Sequence, residues 1–298
     1  LICAQKDEIY FVSGGTEADN WALFGTAAHF KKGHIIVTKV EHSAVLESAK
    51  RLLELGFDVS FISPNENGTI SPCDIEKAIR SDTFLISCMF ANNEVGTIEP
   101  IFEVGQIAKR HGILFHTDAV QAAGHIPIDV NKLNIDLLSF SAHKLGGPKG
   151  VGALFIRKGV KLRPLIFGGG QEGGLRSGTE NVAAIVGFGK ACEIALSNMD
   201  EEGKRLSALR DYLIESILEK IPHTFLNGER ENRLPGNVNI GFRFLEAQDI
   251  LLYLDMKGIA ASAGSACHAG RGDGSHVLLA MGQSYEDALS ALRFTLGK

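Results

Sequence analysis

Short apolar, β-rich runs alternate with longer segments of helical period through the first half of the chain, and this alternation constrains the fold more than any other feature. The runs are Ile9–Val12, His34–Thr38, Asp58–Ile62, Phe84–Met89, Ile113–Thr117, Leu137–Phe140 and Gly152–Ile156. Helix-patterned stretches at Ala18–Phe30, Ala44–Leu55 and Ile101–Arg110 separate several of them. Ser71-Pro72-Cys73-Asp74 has the capping Ser, first-position Pro and following acid of a helix start. Strands of a parallel sheet are buried on both faces, so they read as unbroken apolar runs joined by helical crossovers. The expectation is an α/β fold with a mostly parallel seven-stranded sheet between helices. Past Gly168-Gly169-Gly170 come two long helical patterns, Val182–Asn198 and Glu202–Lys220. A strand-like Gly236–Gly241, a helical Ala247–Met256 and a segment ending in Arg293-Phe294-Thr295-Leu296 follow. This predicts a large domain over residues 1–200 and a smaller α+β domain over residues 201–298.

Bulk properties narrow the function classes. The 298 residues carry a formal net charge of −5, which gives no electrostatic reason to expect nucleic acid or an anionic membrane as partner. No run approaches the roughly 18 apolar residues of a membrane span, and the start has no signal-peptide pattern. Five cysteines (Cys3, Cys73, Cys88, Cys192, Cys267) are scattered with no CxxC pair. That spacing fits neither a disulfide framework nor a zinc site, so a reducing, cytoplasmic setting and no metal are expected.

Ligands of open α/β sheets bind beyond the carboxyl ends of the strands, so chemistry is sought there. Ser13-Gly14-Gly15-Thr16-Glu17 follows the first run and leads into a helix. Glycines admit close backbone approach and a helix N-terminus offers free N–H groups, so a phosphate or a plain capped turn suits this segment. No GK[ST] follows, so it is not a P-loop. Asp118 and Gln121 follow the fifth run. A buried carboxylate needs a cation, and a protonated pyridine nitrogen would supply one; a helix cap is the alternative use. Lys144 stands between an apolar run and the Gly/Pro-rich turn Gly146-Gly147-Pro148. Desolvation at a strand mouth would favour its free amine, the form that makes an imine. His42 could stack on an aromatic ring and Asn93 could donate to a ring oxygen, though either residue type is common in turns.

These segments resemble the NifS/IscS-type cysteine desulfurases, in the class V aminotransferase group of fold-type I pyridoxal-phosphate enzymes. The resemblance rests on Ser13-Gly14-Gly15-Thr16-Glu17-Ala18-Asp19-Asn20, Asn92-Asn93-Glu94-Val95-Gly96, Asp118-Ala119-Val120-Gln121 and Ser141-Ala142-His143-Lys144. It continues through Arg176-Ser177-Gly178-Thr179-Glu180-Asn181 and Ser262-Ala263-Gly264-Ser265-Ala266-Cys267, covering nearly the whole chain. It implies pyridoxal 5'-phosphate as cofactor, held as a Schiff base by Lys144, with Asp118 on the pyridine nitrogen and His42 stacked on the ring. Asn93 and Gln121 would contact the ring oxygen. Gly15, Thr16, Ser141 and His143 would hold the phosphate, with Thr179 reaching the other site of a homodimer. Arg293 would clamp the substrate carboxylate, alongside Asn93. Cys267 would be the nucleophile, with His268 and Arg271 favouring its thiolate. The implied reaction converts L-cysteine to L-alanine, leaving a Cys267 persulfide for an acceptor such as an iron–sulfur scaffold.

The family's opening strand, of Asn-Ala-Thr-Thr-Pro type, is not in this sequence, and the C-terminal part reads as shortened. Ala266-Cys267-His268 followed by Gly272-Asp273 also resembles selenocysteine lyases, which makes L-selenocysteine the alternative substrate. A non-catalytic scaffold is disfavoured by the presence of both Lys144 and Cys267. A dinucleotide loop at Gly168–Gly174 lacks the required strand–turn–helix context.

Overall fold

A computed structural model describes residues 1–264 and 274–297 of the chain. Seven strands form one sheet: β1 (Ile9–Val12), β2 (His34–Thr38), β3 (Asp58–Ile62), β4 (Thr83–Ser87), β5 (Leu114–Asp118), β6 (Leu137–Ser141) and β7 (Gly152–Ile156). Their order is β1-β7-β6-β5-β4-β2-β3. The five strands from β3 to β6 run parallel, while β7 is antiparallel to both β6 and β1. The expected mostly parallel seven-stranded sheet is present. β2, β6 and β7 are buried along their whole length, which is why they read as mainly apolar runs, with the polar residues His34, Thr38, Ser139 and Ser141 buried among them. Two strands extend one residue beyond the sequence expectation. Asp118 and Ser141 are therefore the last residues of β5 and β6 rather than the first residues of loops.

Helices α1 (Gly15–Ala27), α2 (Ser43–Glu54), α3 (Pro72–Ala78) and α4 (Ile101–His111) connect the parallel strands. The Ser71 hydroxyl caps α3 as its sequence implied, accepting from the Asp74 N–H at 3.4 Å. Helix α1 starts three residues before its apolar pattern does, because its first turn, Gly-Thr-Glu, is polar. It packs on β6 and β7, with Trp21 fully buried and its indole N–H donating to the Arg163 carbonyl at 2.9 Å. Burying such a side chain contributes about 2–3 kcal/mol, provided its one donor is satisfied.

The chain divides into two units. The first comprises Leu1–Ile62, Ser71–Phe90 and Pro100–Met199; the second comprises Ser63–Ile70, Ala91–Glu99 and Asp200–Lys298. In the second unit, β8 (Thr224–Leu226), β9 (Asn237–Phe242), β10 (Ser262–Ala263) and β11 (Ala291–Thr295) make an antiparallel sheet in the order β10-β11-β9-β8. Its core gathers Ile214, Val238, Ile240, Phe242 and Leu292, with Ile250, Leu251 and Leu254 of α6 (Ala247–Met256) packed against it.

The expected pair of helices over Val182–Asn198 and Glu202–Lys220 is instead one helix, α5 (Val182–Lys220), of 39 residues. The residues between the two ranges, Met199-Asp200-Glu201, include neither Pro nor Gly, and the backbone ladder continues through them. Contrary to the sequence expectation, α5 is by length and composition long and apolar enough to cross a membrane. Its Lys190 and Glu193 form an ion pair of 3.0 Å, and Phe188 is buried against Phe11 and Phe140.

Backbone proximity sets the geometry at the start of α1. A Cβ on Gly152 would lie 2.8 Å from the Gly14 backbone and 2.8 Å from the Phe140 carbonyl oxygen. Neither neighbour is a side chain that could rotate away. Gly152→Ala is therefore expected to lower stability by about 1–3 kcal/mol, seen as a reduced urea midpoint with an unchanged m-value.

Candidate active site

The carboxyl ends of β1, β5 and β6 meet at one edge of the first unit. Gly15 opens α1 against the turn after β5: a Cβ there would sit 2.8 Å from Val120 Cγ2 and 3.9 Å from Ser141 Cβ. Gly14 backs onto Gly152, as above. The result is a cradle of bare backbone at the N-terminus of a 13-residue helix, where unpaired N–H groups and the positive dipole end favour an anion. The Ser141 hydroxyl closes one side and is hydrogen-bonded to His143 Nδ1 at 2.8 Å. Burial, then the nearby Lys144 and Lys149 ammonium groups, hold the His143 imidazole below its ordinary pKa. Thr16 is exposed on the first turn of α1. It borders, together with Asn20, Phe24, His42, Glu47 and Arg51, a cavity of about 380 Å³.

Asp118 is buried at the end of β5, only 6% exposed. Its Oδ1 accepts the Val120 N–H at 2.9 Å. Burial pushes its carboxyl up to about 6, against the pull of that N–H and of the Lys144 ammonium. Gln121 lies half-buried just beyond the turn. Lys144 lies in the short 3-10 turn Ala142–Leu145 after β6, its carbonyl accepting from His125 Nε2 at 3.1 Å. Here the structure corrects the sequence expectation of a desolvated lysine. Lys144 is exposed, because it stands three residues past the buried end of β6, and Asp118 is the desolvated partner. His42 is the N-cap of α2, its Nδ1 accepting the Ala44 N–H at 3.1 Å. That bond leaves its half-buried ring turned by the cap into the cavity it shares with Thr16. Thr179 is exposed.

Sequence reasoning left one contact without a role. Arg176 makes a two-pronged pair with Glu17, at 2.8 Å from Nε and 3.1 Å from Nη2, while Glu17 also accepts the Ser13 N–H at 2.8 Å. Thus the segment carrying Thr179 is tied to the first turn of α1. Burial raises the Glu17 carboxyl, but Arg176 and the Ser13 N–H outweigh it and the net shift is downward. Both residues stand in segments quoted for the family resemblance; an acid at the third helical position is also the ordinary signal of a capped start.

Asn93 and Arg293 belong to the second unit. Arg293 on β11 donates from Nη1 to the Asn93 carbonyl at 3.1 Å. The Asn92 side chain accepts the Glu94 and Val95 N–H groups at 2.9 Å each, and Asn237 and Asn239 on β9 hold the Glu94 carbonyl at 3.2 and 3.1 Å. The turn is therefore fixed from both sides, with Gly96 at a positive φ of 78° where Asn237 leaves no room for a Cβ. Cys267, with His268 and Arg271, lies outside the described residues.

The family model "Aminotransferase class-V" matches residues 1–297. The chain belongs to this family. A cysteine desulfurase IscS of Dictyoglomus turgidum is 54% identical over 99% of this chain and 76% of its own length. One from Methanosarcina thermophila is 54% identical over 99% of this chain and 73% of its own. Among solved structures, a NifS-like protein superposes with a TM-score of 0.91 at 41% identity, covering 98% of this chain and 78% of its own. "SspA in complex with cysteine" gives 0.85 at 38% identity, covering 98% and 82%. The resemblance to NifS/IscS-type enzymes and the fold it implied are both borne out.

The Glu17–Arg176 pair yields a pH prediction. A carboxyl with a lowered folded-state pKa contributes stability above its unfolded value, lost as pH falls through the folded value. Glu17→Gln is expected to cost about 1–2 kcal/mol at neutral pH and to remove part of the loss of stability on acidification. Urea unfolding of wild type and variant at pH 3 to 7 checks both.

Proposed function

We propose that this class V enzyme is a cysteine desulfurase that uses pyridoxal 5'-phosphate to convert L-cysteine to L-alanine, with the sulfur leaving as a persulfide on Cys267. The observation that carries the reading is Asp118, a buried carboxyl at a strand end that feels the Lys144 ammonium, beside a backbone cradle fit for a phosphate. The residues present fit the cofactor: an acid for the pyridine nitrogen, a lysine amine, and anion donors on α1, Ser141 and His143. When bound, pyridoxal phosphate supplies an electron sink for charge developing at the substrate's α-carbon.

The chain's own groups do the rest. Gly14, Gly15, Thr16, Ser141 and His143 hold the phosphate, and Asp118 keeps a negative charge opposite the ring nitrogen. His42 is oriented by its own cap bond to lie against the ring. Lys144, exposed on its turn, is free to reach the cofactor and then to take and return the proton at the substrate's α-carbon. Arg293 receives the substrate carboxylate; its guanidinium is already oriented by the Asn93 carbonyl. The Cys267 thiolate takes the sulfur, so that one substrate C–S bond is exchanged for the S–S bond of the persulfide, with alanine as the other product. The names of the similar proteins, and the cysteine bound in SspA, favour cysteine over selenocysteine.

A second copy of the chain is part of this reading. Val182, Val186, Ile194 and Leu196 leave an apolar stripe exposed along the start of α5, and Phe167 is 82% exposed. These residues and the exposed Thr179 suit a homodimer. Cysteines 3, 73, 88 and 192 are all free thiols, in keeping with a reducing, cytoplasmic compartment. The persulfide's chemistry suits a protein acceptor such as an iron–sulfur scaffold.

The test is spectroscopic and chemical. Purified protein with pyridoxal phosphate is expected to be yellow and to release alanine and, with a reductant, sulfide from L-cysteine. Lys144→Ala should lose the visible band, and Cys267→Ala should keep the band but form no persulfide. An unchanged band in Lys144→Ala would overturn the cofactor assignment. Arg293→Lys, which loses the two-pronged geometry, should raise KM for cysteine by roughly tenfold or more.

A further inference from the structure

Asp118 does not sit alone in the interior. Helix α1 buries a stripe made of Asp19, Ala22, Leu23 and Thr26, at the spacing of one helical face, and Asp19 is fully buried on it. Its Oδ1 lies 3.7 Å from His116 Nε2, and neither carboxyl oxygen has a regular hydrogen bond to any described group. His116 shares a face of β5 with Asp118, two residues away. Its Nδ1 is 2.9 Å from the Ser87 hydroxyl on β4, and its Nε2 is 3.0 Å from the Ser139 hydroxyl on β6. A third carboxyl, Glu41, is also fully buried, its Oε1 accepting the Thr38 hydroxyl at 2.8 Å and the Met89 N–H at 2.7 Å.

The three acids differ in what supports a charge on them. Asp118 has the Val120 N–H and the Lys144 ammonium. Among the described residues Asp19 has no cation close by, since burial holds the His116 imidazole down to about 3 and hence neutral. Burial pushes the Asp19 carboxyl well up, the charges of Asp118 and Glu41 push it further, and only the Ser139 hydroxyl opposes them. Burial likewise raises Glu41, to about 8. Two unscreened like charges in this interior would cost several kcal/mol, so one ionised acid is the arrangement the site supports.

We propose that Asp19 is a buried neutral carboxylic acid, and that this keeps the negative charge at the ring-nitrogen end of the site on Asp118 alone. Asp19 is thus a positioning residue for that charge. The His116 ring is held between the Ser139 hydroxyl at Nε2 and the Ser87 hydroxyl at Nδ1, so it offers Asp19 no charge. An ionised Asp19 would make Asp118 more basic and draw toward it the proton that belongs on the pyridine nitrogen. The part played by Asp118 rests on the function proposed above; the protonation of Asp19 does not.

Two measurements separate these layers. Infrared difference spectra of wild type minus Asp19→Asn near neutral pH should show the carbonyl band of a protonated carboxylic acid, which an ionised carboxylate lacks. If Asp19→Asn does not fold, Asp19→Ser takes its place in the same comparison with wild type. A missing band in whichever comparison is used overturns the proposal. The second measurement is pyridoxal-phosphate affinity against pH. A carboxyl with a raised folded-state pKa favours the fold below its unfolded value, about 4, and that contribution is lost as pH rises through the folded value. Wild type should accordingly lose cofactor affinity at alkaline pH more steeply than Asp19→Asn, with at least a threefold change in their affinity ratio between pH 6 and pH 9. A constant ratio overturns the positioning role. If neither protein binds pyridoxal phosphate while the infrared band is present, it is the cofactor reading that fails.

Discussion

The candidate site depends on backbone packing against backbone. Gly152 leaves β7 bare where Gly14 passes, and Gly15 brings the first turn of α1 against Val120 and Ser141. Without those approaches the N–H groups of α1 would stand away from the ends of β5 and β6. The acid, the lysine and the anion cradle would then belong to separate places. Side chains supply the chemistry, but the absence of Cβ atoms at Gly15 and Gly152 lets them share a site. The Glu17–Arg176 pair reinforces the same approach from outside, by fastening the Thr179 segment to α1.

Charge is distributed with equal economy. The interior of the first unit holds Asp19, Glu41, His116 and Asp118, and of these Asp118 is supported by both the Val120 N–H and the Lys144 ammonium. An enzyme that needs one fixed negative charge against a heteroaromatic nitrogen gains from neighbours that remain neutral. The serine hydroxyls on β4 and β6 complete this by occupying both nitrogens of His116.

Much of this was legible in the sequence, for identifiable reasons. The strands were readable because parallel strands buried on both faces are unbroken apolar runs, and the Ser71 cap because its chemistry is local. The ends of β5 and β6 were misplaced by one residue because Asp118 and Ser141 are polar, although the ladder continues through them. Lys144 was expected to be desolvated, since a strand mouth suggests burial; the turn after β6 carries it outward instead. The unbroken α5 was hidden by a polar stretch that interrupts hydrophobicity without interrupting hydrogen bonding. Asp19 had a signal that went unused: an acid spaced with Ala22, Leu23 and Thr26 on one helical face must be buried with them. The Arg176–Glu17 pair joins positions too far apart in the chain for any local pattern to reveal.

The antiparallel β7 has a consequence for how the site is built in time. β6 and β7 form a hairpin-like pair around the turn that carries Lys144, so the lysine's surroundings come from contacts close in sequence. The cradle, by contrast, requires β1 to close onto β7, with Ile9 opposite Phe155, across most of the first unit's length. Loop closure over such a span is entropically late relative to local pairing. A folding chain therefore assembles its lysine turn early and its phosphate cradle last, and a capacity to hold cofactor marks completion of the sheet.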